Sequence, residues 1–143
     1  MAAVIAAPAS GSGKTLLSLA LLSWAQQNDR RIQAFKVGPD YLDAQLLSQA
    51  SGLPCRNLDL NLCGETWVHQ AFHGYGGVSE LTLVEGVMGL FDGIGSSTTG
   101  STADVARLLD LPVVLVLDAG GQAASLGAIV RGFRDHDPQL RIA

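Results

Sequence analysis

Lys14 and Thr15 stand together behind a turn of small residues, Pro8-Ala9-Ser10-Gly11-Ser12-Gly13, and ahead of an apolar run. A short apolar segment, then a Gly/Ser turn, then Lys-Thr opening a helix is the layout of a loop that cradles phosphate. Backbone N–H groups along Ser10, Gly11, Ser12 and Gly13 would converge on phosphate oxygens, and the helix N-terminus adds its partial positive charge. Gly11 and Gly13 admit positive φ and a close approach of backbone to ligand. Lys14 would reach the terminal phosphates, and the Thr15 hydroxyl is a ligand for Mg²⁺. Pro8 occupies the first position, where the eight-residue pattern asks for glycine.

Other candidate groups sit where apolar runs end. Lys36 lies near the end of Ile32–Val37 and is followed by Asp40 and Asp43, while Glu85 closes Leu81-Thr82-Leu83-Val84. Asp118 follows the run Pro112–Leu117. A lysine can neutralise a transferring phosphoryl group, and carboxylates with a hydroxyl offer Mg²⁺ the hard oxygens it takes. Asp40 also reads as a turn residue after Pro39, Asp43 as a helix cap, and Asp118 as an ordinary polar strand end. Cys55, Cys63, His69 and His73 form a rival cluster, but their spacing fits no zinc module.

These groups meet only if the chain places the ends of its strands along one edge. At 143 residues it is the size of one domain; 48% of residues are hydrophobic and 15% charged, which suits strands covered on both faces. Strands are predicted at Ala2–Ala7, 32–37, 81–84 and 112–117, the last in a central position. Helices are predicted from the loop to about Asn28, from Tyr41 to about Ser51, from Glu65 to about Phe72, from the Ser101/Asp104 capping box to Asp110, and from Gln122 to Arg134. Cys55–Gly64 reads as an irregular connection, Gly74–Gly77 as a loosened stretch, and Gly86–Gly100 as a long glycine-rich loop. Strands alternating with helices give an α/β fold: a doubly wound, mainly parallel sheet whose ligands gather at the carboxyl ends of the strands. Leu140–Ala143 reads as a further strand cut short, so residues 1–143 are expected to be the N-terminal part of a longer protein.

A net charge of −4 and a pI near 5.1 argue against broad binding to nucleic acid or anionic membranes. No uninterrupted apolar run reaches the roughly 18 residues of a spanning helix. Two cysteines without a secretory leader point to a reducing, cytoplasmic setting.

The stretches 35–43 (Phe-Lys-Val-Gly-Pro-Asp-Tyr-Leu-Asp), 57–59 (Asn-Leu-Asp) and 84–93 (Val-Glu-Gly-Val-Met-Gly-Leu-Phe-Asp-Gly) resemble the cobyrinic acid a,c-diamide synthase family, as do 101–104 and 111–119. The resemblance runs along essentially the whole chain, and loops with proline in place of the first glycine are similar to those within this family. It implies a dethiobiotin-synthetase-like P-loop fold that uses ATP and Mg²⁺. It implies metal-holding roles for Thr15, Asp43 and Glu85, phosphate-facing roles for Lys14 and Lys36, and a corrinoid-facing segment at Asp40, Tyr41 and Leu42. The implied reaction is ATP-dependent amidation of two acetate arms of a corrinoid-type tetrapyrrole through an acyl phosphate. Nitrogen would come from a C-terminal glutamine amidotransferase domain; neither Cys55 nor Cys63 has the surroundings of that domain's nucleophile. A homodimer is among the assemblies this reading admits. Two rivals stand beside it: dethiobiotin synthetase itself, which lacks the 38–43 signature, and a partitioning-type ATPase switch, which carries an extra lysine early in the loop where Pro8, Ala9 and Ser10 supply none.

Overall fold

The structure is a computed structural model describing residues 1–143. Ten elements follow in order: β1 (Ala2–Ala6), α1 (Lys14–Gln27), β2 (Ile32–Val37), α2 (Tyr41–Ser51), β3 (Arg56–Leu58), α3 (Gly64–Gly76), β4 (Leu81–Glu85), α4 (Thr102–Leu108), β5 (Val113–Leu115) and α5 (Leu126–His136). The five strands form one parallel sheet in the order β3-β2-β4-β1-β5. The expected α/β architecture with a parallel sheet is therefore what forms.

Successive strand residues point to opposite faces, so the core divides in two. Val4, Phe35, Val37 and Val84 face α3 and α4 and join Val68, Phe72, Leu90 and Val105 in the larger cluster. Their sequence neighbours Ile5, Ala34 and Leu83 face the other way and meet Leu22 and Ala25 of α1 and Leu47 of α2. Leu22 and Leu47 are fully buried, each worth about 1.5–3 kcal/mol against leaving it in water. Helices α1 and α2 are thereby pinned above one face, with their N-termini at the carboxyl edge of the sheet.

Four expectations are corrected. The stretch taken as irregular, Cys55–Gly64, contains β3: Phe35, Lys36 and Val37 pair in register with Arg56, Asn57 and Leu58. Helix α3 runs on through Gly74 to Gly76, because packing overrides glycine's poor helix propensity. A Cβ at Gly76 would lie 3.2 Å from Thr82 Oγ1, so glycine lets the helix end close on β4. Strand β5 is not central: it lies outside β1, and beyond it only a parallel bridge from Val113 to Ile142 continues the sheet. Finally, α5 starts at Leu126 rather than Gln122, because the amides of Gln122, Leu126 and Gly127 close three-residue turns. No helix is long and apolar enough to cross a membrane.

Candidate active site

The loop between β1 and α1 has the backbone its sequence demands. Gly11 and Gly13 sit at φ +79° and +94°, in the left-handed region where a side chain is strained. Gly13 is the N-cap of α1, and no side chain caps that helix. Its first amides are left for an anion, with the helix dipole behind them. By contrast α2 is capped by Asp40, whose Oδ1 accepts from Asp43 N at 3.1 Å.

Strands β2 and β4 deliver the charged groups. Lys36 and Glu85 are register partners on neighbouring parallel strands, so their side chains leave the same face of the sheet, beneath the starts of α1 and α2. Lys36 Nζ donates to Glu85 Oε1 at 2.8 Å, to Asp43 Oδ2 at 2.7 Å and to the Gly86 carbonyl at 3.1 Å; Asp40 Oδ2 stands 3.8 Å away. Thr15 Oγ1 donates to Glu85 Oε1 at 2.9 Å and approaches Asp43 Oδ2 at 3.4 Å. Lys36 is 2% exposed and Glu85 0%. Burying charge on this scale is tolerated only when it is paired and hydrogen-bonded, as here. Burial alone would push Lys36 down, but hydrogen bonds to Asp43 and Glu85 outweigh it and hold the ammonium above the ordinary lysine value of 10.5. Asp43 feels a partial desolvation in the opposite sense, yet its bond to Lys36 keeps it below the ordinary 3.8.

Lys14 is buried at the head of α1, where its Nζ donates to the carbonyls of Ala9 at 3.1 Å and Met88 at 2.7 Å. Desolvation, and then repulsion from Lys36, lower its pKa from 10.5. An anion in the loop would supply the countercharge that two carbonyls lack. The chain around Met88 is held for this contact. Met88 itself takes φ +50°, and the Thr102 hydroxyl both accepts from Val87 N (3.0 Å) and donates to Val87 O (3.2 Å).

Between these walls lies a cleft of about 530 Å³, lined by Ser10, Gly11, Gly13, Lys14, Thr15 and Leu16 from the first loop and helix. Lys36, Asp40, Asp43 and Gly86–Met88 complete it. Six candidate side chains are thus brought together: Lys14, Thr15, Lys36, Asp40, Asp43 and Glu85. Tyr41 and Leu42 stand at the rim instead, 66% and 76% exposed. Asp118 does not join the site; it is exposed, and its Oδ1 accepts from Gly120 N in a turn. Cys55 and Cys63 are free thiols, with burial pushing Cys55 up to about 12, and the rings of His69 and His73 stack at 5.8 Å.

The donor set fits a hard divalent cation. Glu85 Oε2 is buried without a hydrogen-bond partner, an arrangement that costs free energy unless something is bound there. Thr15 Oγ1 lies 2.9 Å from the other oxygen of that carboxylate, Oε1, and 3.4 Å from Asp43 Oδ2. Asp40 spends its Oδ1 on capping α2, and its Oδ2 stands off at 3.8 Å from Lys36. The set is therefore two carboxylates and a hydroxyl, the sparse kind that suits a cation keeping waters and phosphate oxygens. Sequence reasoning marked the stretches holding Asn57, Thr102 and Met88 but assigned no role to the two side chains or to the Met88 carbonyl. Asn57 sat in an overlooked strand, and a carbonyl leaves no trace in residue type.

Comparison with known proteins bears on the family and the fold. The model for the CobQ/CobB/MinD/ParA nucleotide binding domain matches residues 3–139. A cobyrinate a,c-diamide synthase from Gloeobacter violaceus is 49% identical over 144 residues, 100% of this chain and 32% of that protein. A hydrogenobyrinate a,c-diamide synthase from Streptomyces coelicolor is 48% identical over 141 residues, 97% of this chain and 29% of that protein. The chain thus spans about a third of the length of the curated relatives it matches. In fold it is similar to the hydrogenase maturation factor HypB from Archaeoglobus fulgidus, with a TM-score of 0.53 at 17% identity over 99% of this chain and 79% of that one. With the phosphate loop, the parallel sheet and a family match over nearly its whole length, this chain belongs to the CobQ/CobB/MinD/ParA nucleotide-binding domain family and aligns from end to end with the a,c-diamide synthases.

Proposed function

We propose that this chain is the ATP-binding synthetase part of an a,c-diamide synthase, amidating two carboxylate arms of cobyrinic acid or a close tetrapyrrole relative. The observation that carries the reading is the cluster Lys36–Asp43–Glu85–Thr15 directly beneath an uncapped helix N-terminus. Phosphoryl transfer asks for positioned positive charge and little covalent help from the protein, and this cluster with Lys14 provides it. Loop amides and Lys14 would hold the β- and γ-phosphates. Thr15, Asp43 and Glu85 would hold Mg²⁺, which supplies charge neutralisation on the phosphate oxygens. A substrate carboxylate oxygen then bonds to the γ-phosphorus as the bridging bond to ADP breaks, leaving an acyl phosphate. Ammonia adds to the acyl carbon, phosphate departs, and the nitrogen loses a proton; Asp40, which lines the cleft, would take it. The relatives' greater length supports a further domain that would deliver ammonia from glutamine.

The test is isotopic. With ¹⁸O in the substrate carboxylates, one labelled oxygen should appear in inorganic phosphate for each amide formed by the complete protein. Unlabelled phosphate alongside amide would exclude the acyl phosphate, and no amide from any corrinoid would exclude the substrate class.

Tyr41 and Leu42 give a second expected result. Their exposed side chains beside Asp40 offer apolar surface to a large ring with carboxylate arms, not to phosphates. Tyr41→Ala or Leu42→Ala should raise corrinoid KM by about tenfold, a size expected for losing one such contact, or shift the ratio of mono- to diamide. ATP KM should stay within about twofold. A selective rise in ATP KM would show that the pair serves the nucleotide instead.

A further inference from the structure

Glu85, Lys36 and Asn57 form one row across three adjacent strands, β4, β2 and β3, at the carboxyl edge. In a parallel sheet such register partners project from the same face, so acid, base and amide stand side by side beneath α1 and α2. Glu85 holds Thr15 of α1, and Lys36 holds Asp43 of α2. The third member reaches the same helix at a different point. Asn57 Nδ2 donates to the Gly38 carbonyl at 2.6 Å and to the Asp40 carbonyl at 3.2 Å. Both partners are acceptors, so only the amide's –NH₂ end can face them.

The two carbonyls bracket the turn that places α2. Gly38 takes φ +74°, its own amide donates to the Leu58 carbonyl at 3.1 Å, and Asp40 is the N-cap of the helix. Lys36 restrains α2 by charge at Asp43, while Asn57 restrains the backbone from which Asp40, Tyr41, Leu42 and Asp43 all project. We infer that Asn57 is a positioning residue: it fixes the first turn of α2 so that Asp43 and Asp40 meet Lys36 and the metal-binding oxygens in one geometry. It does not line the cleft and acts through those two carboxylates. Aspartate at this place would keep the shape, lose both donors and aim a negative charge at two carbonyl oxygens. The inference rests on the reading of the cleft as a phosphoryl-transfer site.

The experiment compares wild type, Asn57→Asp and Asn57→Ala in the complete protein. Three readouts are taken: deuterium exchange across the α2 amides, the Mg²⁺ dependence of ATP turnover, and ATP KM. Losing two hydrogen bonds predicts exchange at Asp43 and Ala44 faster by about tenfold, with the rest of the sheet unchanged. It also predicts kcat lower by about tenfold and a several-fold rise in half-saturating Mg²⁺, while ATP KM holds within about twofold. If Asn57→Asp does not fold, Asn57→Ala carries the same three expectations without the added charge. Unchanged exchange at the first turn of α2 would overturn the inference. So would exchange that rises evenly over every element with kcat and KM moving together, the mark of a general structural role. The exchange arm needs no corrinoid. If wild type fails to amidate any corrinoid yet Asn57→Asp still loosens Asp43 selectively, the substrate assignment falls and the positioning role stands.

Discussion

Lys36→Met should be the most damaging single substitution in this domain, abolishing turnover and lowering stability by about 3–5 kcal/mol, the usual cost of removing one partner from a buried ion pair. Lys36 is the only cation within reach of Glu85, Asp43 and Asp40 together, at 2.8, 2.7 and 3.8 Å. Methionine fills similar volume but leaves the buried Glu85 carboxylate and the half-buried Asp43 without their countercharge. The pH dependence separates this from a simple packing loss. In wild type the Asp43 pKa is depressed, so its contribution is present above the ordinary 3.8 and is lost as pH falls through the lower folded value. The Lys36 pKa is raised, so its contribution is full below the ordinary 10.5 and is lost only as pH rises beyond it. Wild type should therefore show a broad plateau between those limits as far as this cluster is concerned. In Lys36→Met, protonating one carboxylate relieves the repulsion, so the gap in Tm between variant and wild type should narrow as pH falls from 7 towards the carboxylate range. Added Mg²⁺ should raise the variant's Tm more than that of wild type, since it supplies the missing countercharge. Parallel Tm curves at all pH values would mean the pair contributes shape and no electrostatics.

Glu85→Gln should leave the fold standing and cut turnover by about a hundredfold or more, the scale on which removing one preorganised charged group acts. Glutamine keeps an oxygen that can accept from Lys36 and Thr15 where Glu85 Oε1 now does, at 2.8 and 2.9 Å. What it loses is the charge, together with the unpartnered carboxylate oxygen Oε2 that would be free to hold a metal. If the defect is weakened metal binding, raising Mg²⁺ well above its wild-type requirement should restore part of the rate. Steady-state kinetics across a Mg²⁺ series, with a thermal melt of the same sample, decide the matter. Full activity would place the metal elsewhere. A collapsed melt would make Glu85 a structural residue and the orphaned oxygen an incidental consequence of the fold.

What could be read directly from the chain was local. The turn from Pro8 to Thr15 specifies its own geometry, because glycine at φ +79° and +94° and a helix opening on Lys-Thr are short-range properties. The runs that became β1, β2 and β4 declared themselves as short, mainly apolar segments between turn signals, and the rule that ligands gather at strand carboxyl ends then put Lys36, Asp43 and Glu85 on one edge. That rule could not say that Lys36 and Glu85 are register partners, since register depends on which strands become neighbours. Strand β3 stayed hidden because Arg-Asn-Leu is short, carries no period of its own and pairs only along β2. With it hid the role of Asn57. The apolar run that became β5 reads as central, yet its place outside β1 was settled by strand order, which no local pattern encodes. Asp118 follows the apolar run of that strand as Glu85 closes β4, and one lies exposed in a turn while the other is fully buried beside Lys36. Residue type and spacing thus determined which groups were chemically able to serve. Which of them meet was decided by long-range packing of α1 and α2 on the sheet, because burial and distance, not sequence position, set the strength of a charge.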